Sequence, residues 1–120
     1  MTTTPLAFDL TGFTRATEER DSRFLIDQYA EDAEIRVVDR THPPRSPLVL
    51  RGKAEIRPWL EDTYSRDMTH RVVDPVVGAG LIALTVECRY PDGINVHCAC
   101  TAEVRDGLIT RQSVVQVWDE

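Results

Sequence analysis

Proton transfer needs a side chain that can give or accept a proton and a surrounding that keeps bulk water away from it. Two residues of this 120-residue chain sit where the sequence pattern offers both. His70 opens an alternating run in which His70, Val72, Asp74 and Val76 share one side and Thr69, Arg71 and Val73 the other. Histidine titrates near neutral pH, so an imidazole in a pocket can move a proton in either direction. Asp39 follows Ile35 and Val37 at intervals of two, the spacing that places side chains on one face of a strand. If that face packs on helices, the carboxylate is partly desolvated, its pKa rises and it becomes a stronger base. His70 and Asp39 are the candidate catalytic residues. Each also has a plainer reading: His70 as a hydrogen-bonded strand-end histidine, Asp39 as the first residue of a loop, solvated or paired with Arg40 or Arg45.

Other chemistries have less to work with. Three histidines are scattered singly, so no zinc site is expected. Lys53 is the one lysine, which leaves a Schiff-base mechanism a single candidate. The three cysteines are odd in number, include no CxxC pair, and place Cys98 and Cys100 too close for an easy bridge. They read as reduced thiols in a core, consistent with a cytoplasmic protein. The formal net charge is −6, from 14 basic and 20 acidic residues, which argues against nucleic acid or an anionic membrane as a partner. The remaining 13 basic residues are all arginine, a usage that codon bias in a GC-rich bacterial genome produces as readily as selection. Pro75 to Val86 is the longest uncharged apolar stretch. It is too short to span a bilayer and is broken by glycines. The N-terminus lacks a basic segment followed by an apolar one.

The elements that must position these residues can be placed in outline, and their length predicts one domain over residues 1–120. Phe13, Ala16, Phe24, Leu25 and Tyr29 recur at broadly helical spacing between Phe8 and Tyr29, and Asp21-Ser22 divides the segment into two short helices. Glu34 to Asp39 predicts a strand. Arg40 to Leu50 holds Pro43, Pro44 and Pro47 and predicts an irregular loop, which either covers a pocket with Arg45 or His42 as polar contacts or is passive. A third helix carries Ile56, Trp59, Leu60 and Tyr64 on one face, with Pro58 implying a late start or a kink. Strands follow near 69–77, 81–90, 94–104 and 108–118, separated by Gly78-Ala-Gly80, Pro91-Asp-Gly93 and Asp106-Gly107. Helices segregated from strands predict an α+β fold, with the helices packed on one face of a curved antiparallel sheet.

The turn at Pro91-Asp-Gly93 fixes a register. With a three-residue loop, Tyr90 faces Ile94 and paired numbers sum to 184, so Leu84, Val86, Cys88 and Tyr90 share a face with Ile94, Val96, Cys98 and Cys100. A slip by one would mix apolar and polar sets. The cysteines therefore face the helices, and His97 lies outside, opposite Glu87. The last strand is open: a two-residue turn at Asp106-Gly107 puts Ile109, Arg111, Ser113, Val115 and Val117 inside and Gln112, Val114, Gln116 and Trp118 outside, and a bulge reverses this. With Trp118 and Val114 outside, the outer face carries an apolar patch that predicts a homodimer.

Tyr29-Ala-Glu-Asp-Ala33, then Leu50-Arg-Gly-Lys-Ala-Glu-Ile-Arg-Pro-Trp-Leu60, Thr69-His70-Arg-Val-Val-Asp-Pro75 and Glu103-Val-Arg-Asp-Gly-Leu-Ile109 together resemble the nuclear transport factor 2-like superfamily. The resemblance is to the branch of SnoaL-like polyketide cyclases, ketosteroid isomerases and scytalone dehydratases. It implies a cone: a curved, mixed, mostly antiparallel sheet wrapped around three N-terminal helices, with a small-molecule pocket, no cofactor, and dimerisation through the outer sheet face. It also implies site positions. Phe13 stands where ketosteroid isomerases keep an oxyanion-donating tyrosine, and Val37 where they keep a general-base aspartate, two residues before Asp39. Cys100 stands where their second acid and the cyclases' catalytic aspartate fall. His70 matches the pocket histidine of scytalone dehydratase-like proteins. Phe13, Val37, Trp59, Tyr64 and Cys100 are thus the expected ligand-binding residues. The expected function is a pocket for an apolar, carbonyl-bearing small molecule, with dehydration, isomerisation or cyclisation by acid–base catalysis. The alternative is a non-catalytic ligand-binding or dimerisation module.

Overall fold

The computed structural model describes residues 7–119. Helix α1 spans Leu10–Glu19. Its N-terminus is capped by Asp9, whose carboxylate accepts from the Gly12 amide at 2.9 Å. It ends at Arg20 in the left-handed region. Asp21 then caps α2 (Ser22–Ile26), accepting from the Phe24 amide at 3.1 Å, so the break at Asp21-Ser22 is where the pattern put it. Tyr29 does not extend the helix. It begins strand β1 (Tyr29–Val38) and is 2% exposed. Its apolar spacing satisfied a helical period, but it is the strand's inward alternation, with Ala33, Ile35 and Val37, that buries it.

The proline-rich segment is shorter than expected, because Leu48–Arg51 forms strand β2 against β1. Four residues after a proline run carry too little periodicity to announce a strand. Gly52, at φ +79°, turns the chain into α3 (Lys53–Ser65). The helix starts at Lys53 despite Pro58, which removes one helical amide bond from the interior. Strands β3 (Thr69–Gly78), β4 (Leu81–Arg89), β5 (Asn95–Arg105) and β6 (Leu108–Trp118) complete one six-stranded sheet in the order β2-β1-β6-β5-β4-β3. β1 and β6 run parallel and every other pair is antiparallel.

The register of β4 and β5 is the predicted one: Leu84 opposes Cys100 and Glu87 opposes His97. Cys88, Cys98 and Cys100 are buried and His97 is exposed. In β6 the preferred facing is reversed. A bulge at Thr110 shifts the pairing between Glu103 opposite Arg111 and Val104 opposite Ile109. As a result Gln112 and Val114 are buried and Gln116 and Trp118 turn inward, while Val115 and Val117 face out. The apolar pair on the outer face is therefore Val115 and Val117, not Val114 and Trp118. The core lies between the three helices and the sheet's inner face, with Leu25, Ile35, Ile56 and Ile109 fully buried.

Candidate functional site

Part of the space under the helices is unfilled. A cavity of about 240 Å³ opens there, just below the usual size of small-molecule sites. Phe13 and Thr17 of α1, and Trp59, Leu60 and Tyr64 of α3, form its helical side. The sheet contributes Leu84, Val86 and Cys88 from β4, Val96, Cys98 and Cys100 from β5, and Gln112, Val114, Gln116 and Trp118 from β6. Asp39, Arg40 and Thr41, from the turn after β1, complete the wall.

His70 reaches this wall from the second residue of β3. β3 is an edge strand, and its free side is tied to α1: the Glu18 carboxylate accepts from the Val72 amide at 3.0 Å. His70 opposes Cys88 across the ladder. Its Nδ1 lies 3.2 Å from the Cys88 Sγ, and its ring is tilted against Tyr64 with centroids 4.9 Å apart. The residue is only 7% exposed, and its Nε2 is buried with no hydrogen-bond partner among the described residues. Burial, with a contribution from the Arg20 charge, pulls its pKa down from 6.5 to about 4. The imidazole is neutral at pH 7. When Nδ1 accepts the Cys88 thiol proton, the ring's own proton sits on Nε2 as an unused donor.

Asp39 lines the same cavity, but its environment differs from the sequence expectation. It lies just past the end of β1, in an isolated bridge with His42. Its carboxylate accepts from the Thr41 amide at 2.9 Å and the Thr41 hydroxyl at 3.1 Å, and faces His42 Nδ1 at 2.9 Å. Partial burial pushes its pKa up, but these bonds outweigh burial and leave it below the ordinary carboxylate value. It is a charged, well-held acceptor rather than a strengthened base, and its partner is His42, not Arg40 or Arg45. His42 and Arg45 are not on the wall. Arg40 is, with its guanidinium 5.0 Å over the Trp118 ring.

Phe13, Trp59, Tyr64 and Cys100 all line the cavity. Val37 does not: it is 1% exposed and packed into the core, and contributes no wall. Burial pushes the Tyr64 hydroxyl well above its ordinary pKa and the Cys100 thiol up to about 11. The Cys100 sulfur accepts from Gln112 Nε2 at 2.8 Å, and Gln112 Oε1 in turn accepts from the Tyr29 hydroxyl. Tyr29 and Gln112 were not foreseen, because one was read as helical and the other as outward. Cys88 was placed on the right face, but its contact with His70 needed the β3–β4 register. No group of three or more His, Cys, Asp or Glu side chains among the described residues is arranged to hold a metal. No helix among them is long and apolar enough to cross a membrane.

The SnoaL-like domain family model matches residues 10–112. The chain belongs to this family. A candidate ketosteroid isomerase from Kribbella flavida is similar in fold at 19% identity, covering 92% of this chain and 74% of that one with a TM-score of 0.73. IdmH, a candidate polyketide cyclase from Streptomyces antibioticus, is 25% identical over 89% of this chain and 88% of its own, at TM-score 0.67. An NTF2-like protein of unknown function from Mesorhizobium loti superimposes at TM-score 0.74 with 17% identity, over 88% of this SnoaL-like chain and 84% of the other. A search of curated proteins finds no match. The helix-wrapped sheet is thus shared architecture, and the fold alone does not assign an activity.

Proposed function

We propose that the cavity takes a small, largely apolar molecule bearing a carbonyl, and that this SnoaL-like chain performs cofactor-independent acid–base chemistry on it: dehydration, isomerisation or cyclisation. The observation that carries this reading is that His70 lines the cavity and its Nε2 is buried without a partner among the described residues. A buried donor without an acceptor costs about 1–3 kcal/mol, and a ligand carbonyl oxygen is the acceptor that recovers it. The neutral imidazole donates to that oxygen and polarises the carbonyl, which acidifies the adjacent C–H. Asp39, charged and fixed by Thr41 and His42, accepts the proton. Trp59, Phe13 and Leu84 hold the apolar body.

The low pKa of Asp39 and the replacement of an acid by an inert thiol at Cys100 favour a second reading, in which the cavity binds such a molecule without converting it. A single assay separates the two: exchange of the α-hydrogens of 2-tetralone in D₂O, followed by proton NMR. The first reading expects exchange above the buffer rate, with His70→Ala and Asp39→Asn each lowering it about a hundredfold or more. Saturable binding that His70→Ala weakens, without exchange, selects the second. Wild-type rates in both variants would sink the catalytic reading.

The outer sheet face supports a second copy as partner. Val115 and Val117 stand 40% and 60% exposed on β6, a central strand of the sheet. Exposed Ala99 lies opposite Val115 on β5. This apolar strip suits a two-fold contact between sheets.

A further inference from the structure

The proton-transfer reading leaves Cys88 without a task, although its sulfur is the nearest nucleophile to His70. Cys88 and Cys98 both line the cavity, and each is buried. They sit diagonally across the β4–β5 ladder, with Cys88 opposite Val96 and Val86 opposite Cys98. Tyr64 on α3 packs its ring, tilted, against His70 and closes the third side. The ionisable groups around the Cys88 sulfur are therefore His70 on β3, Cys98 on β5 and Tyr64 on α3, and the Arg20 charge from the end of α1 acts on His70. A lone buried thiol is inert, but this one touches a histidine that lines the same cavity and whose other nitrogen is buried without a partner among the described residues.

We infer that Cys88 is a nucleophile for α,β-unsaturated carbonyl compounds, with His70 as the proton relay between the thiol and the ligand carbonyl. The inference rests on the carbonyl-binding reading of His70 and extends it to conjugated ligands. As the sulfur attacks the β-carbon, the S–H bond breaks and its proton passes to His70 Nδ1. The C=C pair shifts towards the carbonyl, and the oxygen takes the proton from Nε2. The ring ends as the other neutral tautomer, so no imidazolium forms, as its depressed pKa requires. The resulting enol becomes the ketone by proton exchange with water. The net change is addition of S–H across C=C, with no oxidant or reductant. Hydrogen bonding from Cys98 holds the Cys88 thiol below its ordinary pKa, while Cys98 itself is pushed up and stays protonated. Cys100, pushed up by burial, is a poor competitor.

The test is incubation of the native protein with 2-cyclohexen-1-one at pH 7, followed by intact mass and peptide mapping, with cyclohexanone as the saturated control. The expected result is one adduct, on Cys88, formed about tenfold faster than on a free cysteine. Cys88→Ser abolishes it. Cys98→Ala keeps the adduct on Cys88 and moves the pH midpoint of labelling upward. Mapping the wild-type adduct needs no variant to fold. No adduct on the native protein, or labelling spread over all three cysteines, overturns the inference. It does so even if 2-tetralone exchange proceeds, whereas an adduct without exchange removes only the acid–base reading.

Discussion

His70 shows how one position can be set by opposing demands. Its place at the start of β3 puts an imidazole among Tyr64, Cys88 and the cavity, and that burial removes its charge near neutrality. The consequence for stability has a definite sign. The unfolded chain binds a proton here near the ordinary value of 6.5, and the folded chain only near 4. Between those values the unfolded state holds more protons, so stability falls as pH drops through this window and is unaffected by this group above it. Asp39, shifted downward, acts below the window. Urea unfolding of wild type and His70→Asn between pH 7 and 4.5 checks this. The slope of stability with pH is expected to flatten in the variant, and an unchanged slope would mean that His70 titrates normally. Cys100 makes the complementary case. Its depth keeps it a thiol against the opposing pull of the bond from Gln112, and it belongs to a chain of buried partners that also satisfies Tyr29.

The elements place these side chains through a few backbone decisions. Gly52 is the sharpest. It joins β2 to α3 at φ +79° and ψ 160°, a region essentially confined to glycine, and its amide donates to the Ala33 carbonyl at 2.7 Å. A Cβ there would meet only the Glu31 carbonyl at an ordinary 3.5 Å, so the penalty of Gly52→Ala is conformational. It is expected to cost about 1–3 kcal/mol in denaturant unfolding, and no loss would mean that the turn relaxes freely. The elements also show what a sequence reveals. The α1–α2 break was legible because Asp21 is a capping residue. The β4–β5 register was legible because burial and a three-residue turn both specify it. The facing of β6 was not, because the Thr110 bulge changes the phase by one residue with no compositional mark, and Gln112 and Gln116 look like surface residues. β2 was hidden behind three prolines. Among the proposed site residues, Asp39 was found by phase, but its bond to His42 depends on a turn that the strand pattern does not describe.

At the scale of the whole molecule, one sheet carries two surfaces of different character. Its inner face closes the cavity and its outer face presents Val115 and Val117. If that strip is a dimer contact, light scattering at micromolar concentration gives twice the chain mass of 13.6 kDa. Val115→Glu with Val117→Glu then gives the single chain with the fold retained, and a monomeric wild type removes the proposal. The acidic net charge of −6 fits a small-molecule site better than a polyanion surface. The account as a whole stands on the neutral His70 at a ligand carbonyl. Its most direct test is the pH profile of 2-tetralone α-exchange above the buffer rate, measured for wild type and His70→Ala. The prediction is a wild-type rate that stays level from pH 7 to about 5, because His70 remains neutral and Asp39 remains charged, with His70→Ala at the buffer rate. A wild-type rate that halves near 6.5, or a His70→Ala protein that exchanges as fast as wild type, would contradict it.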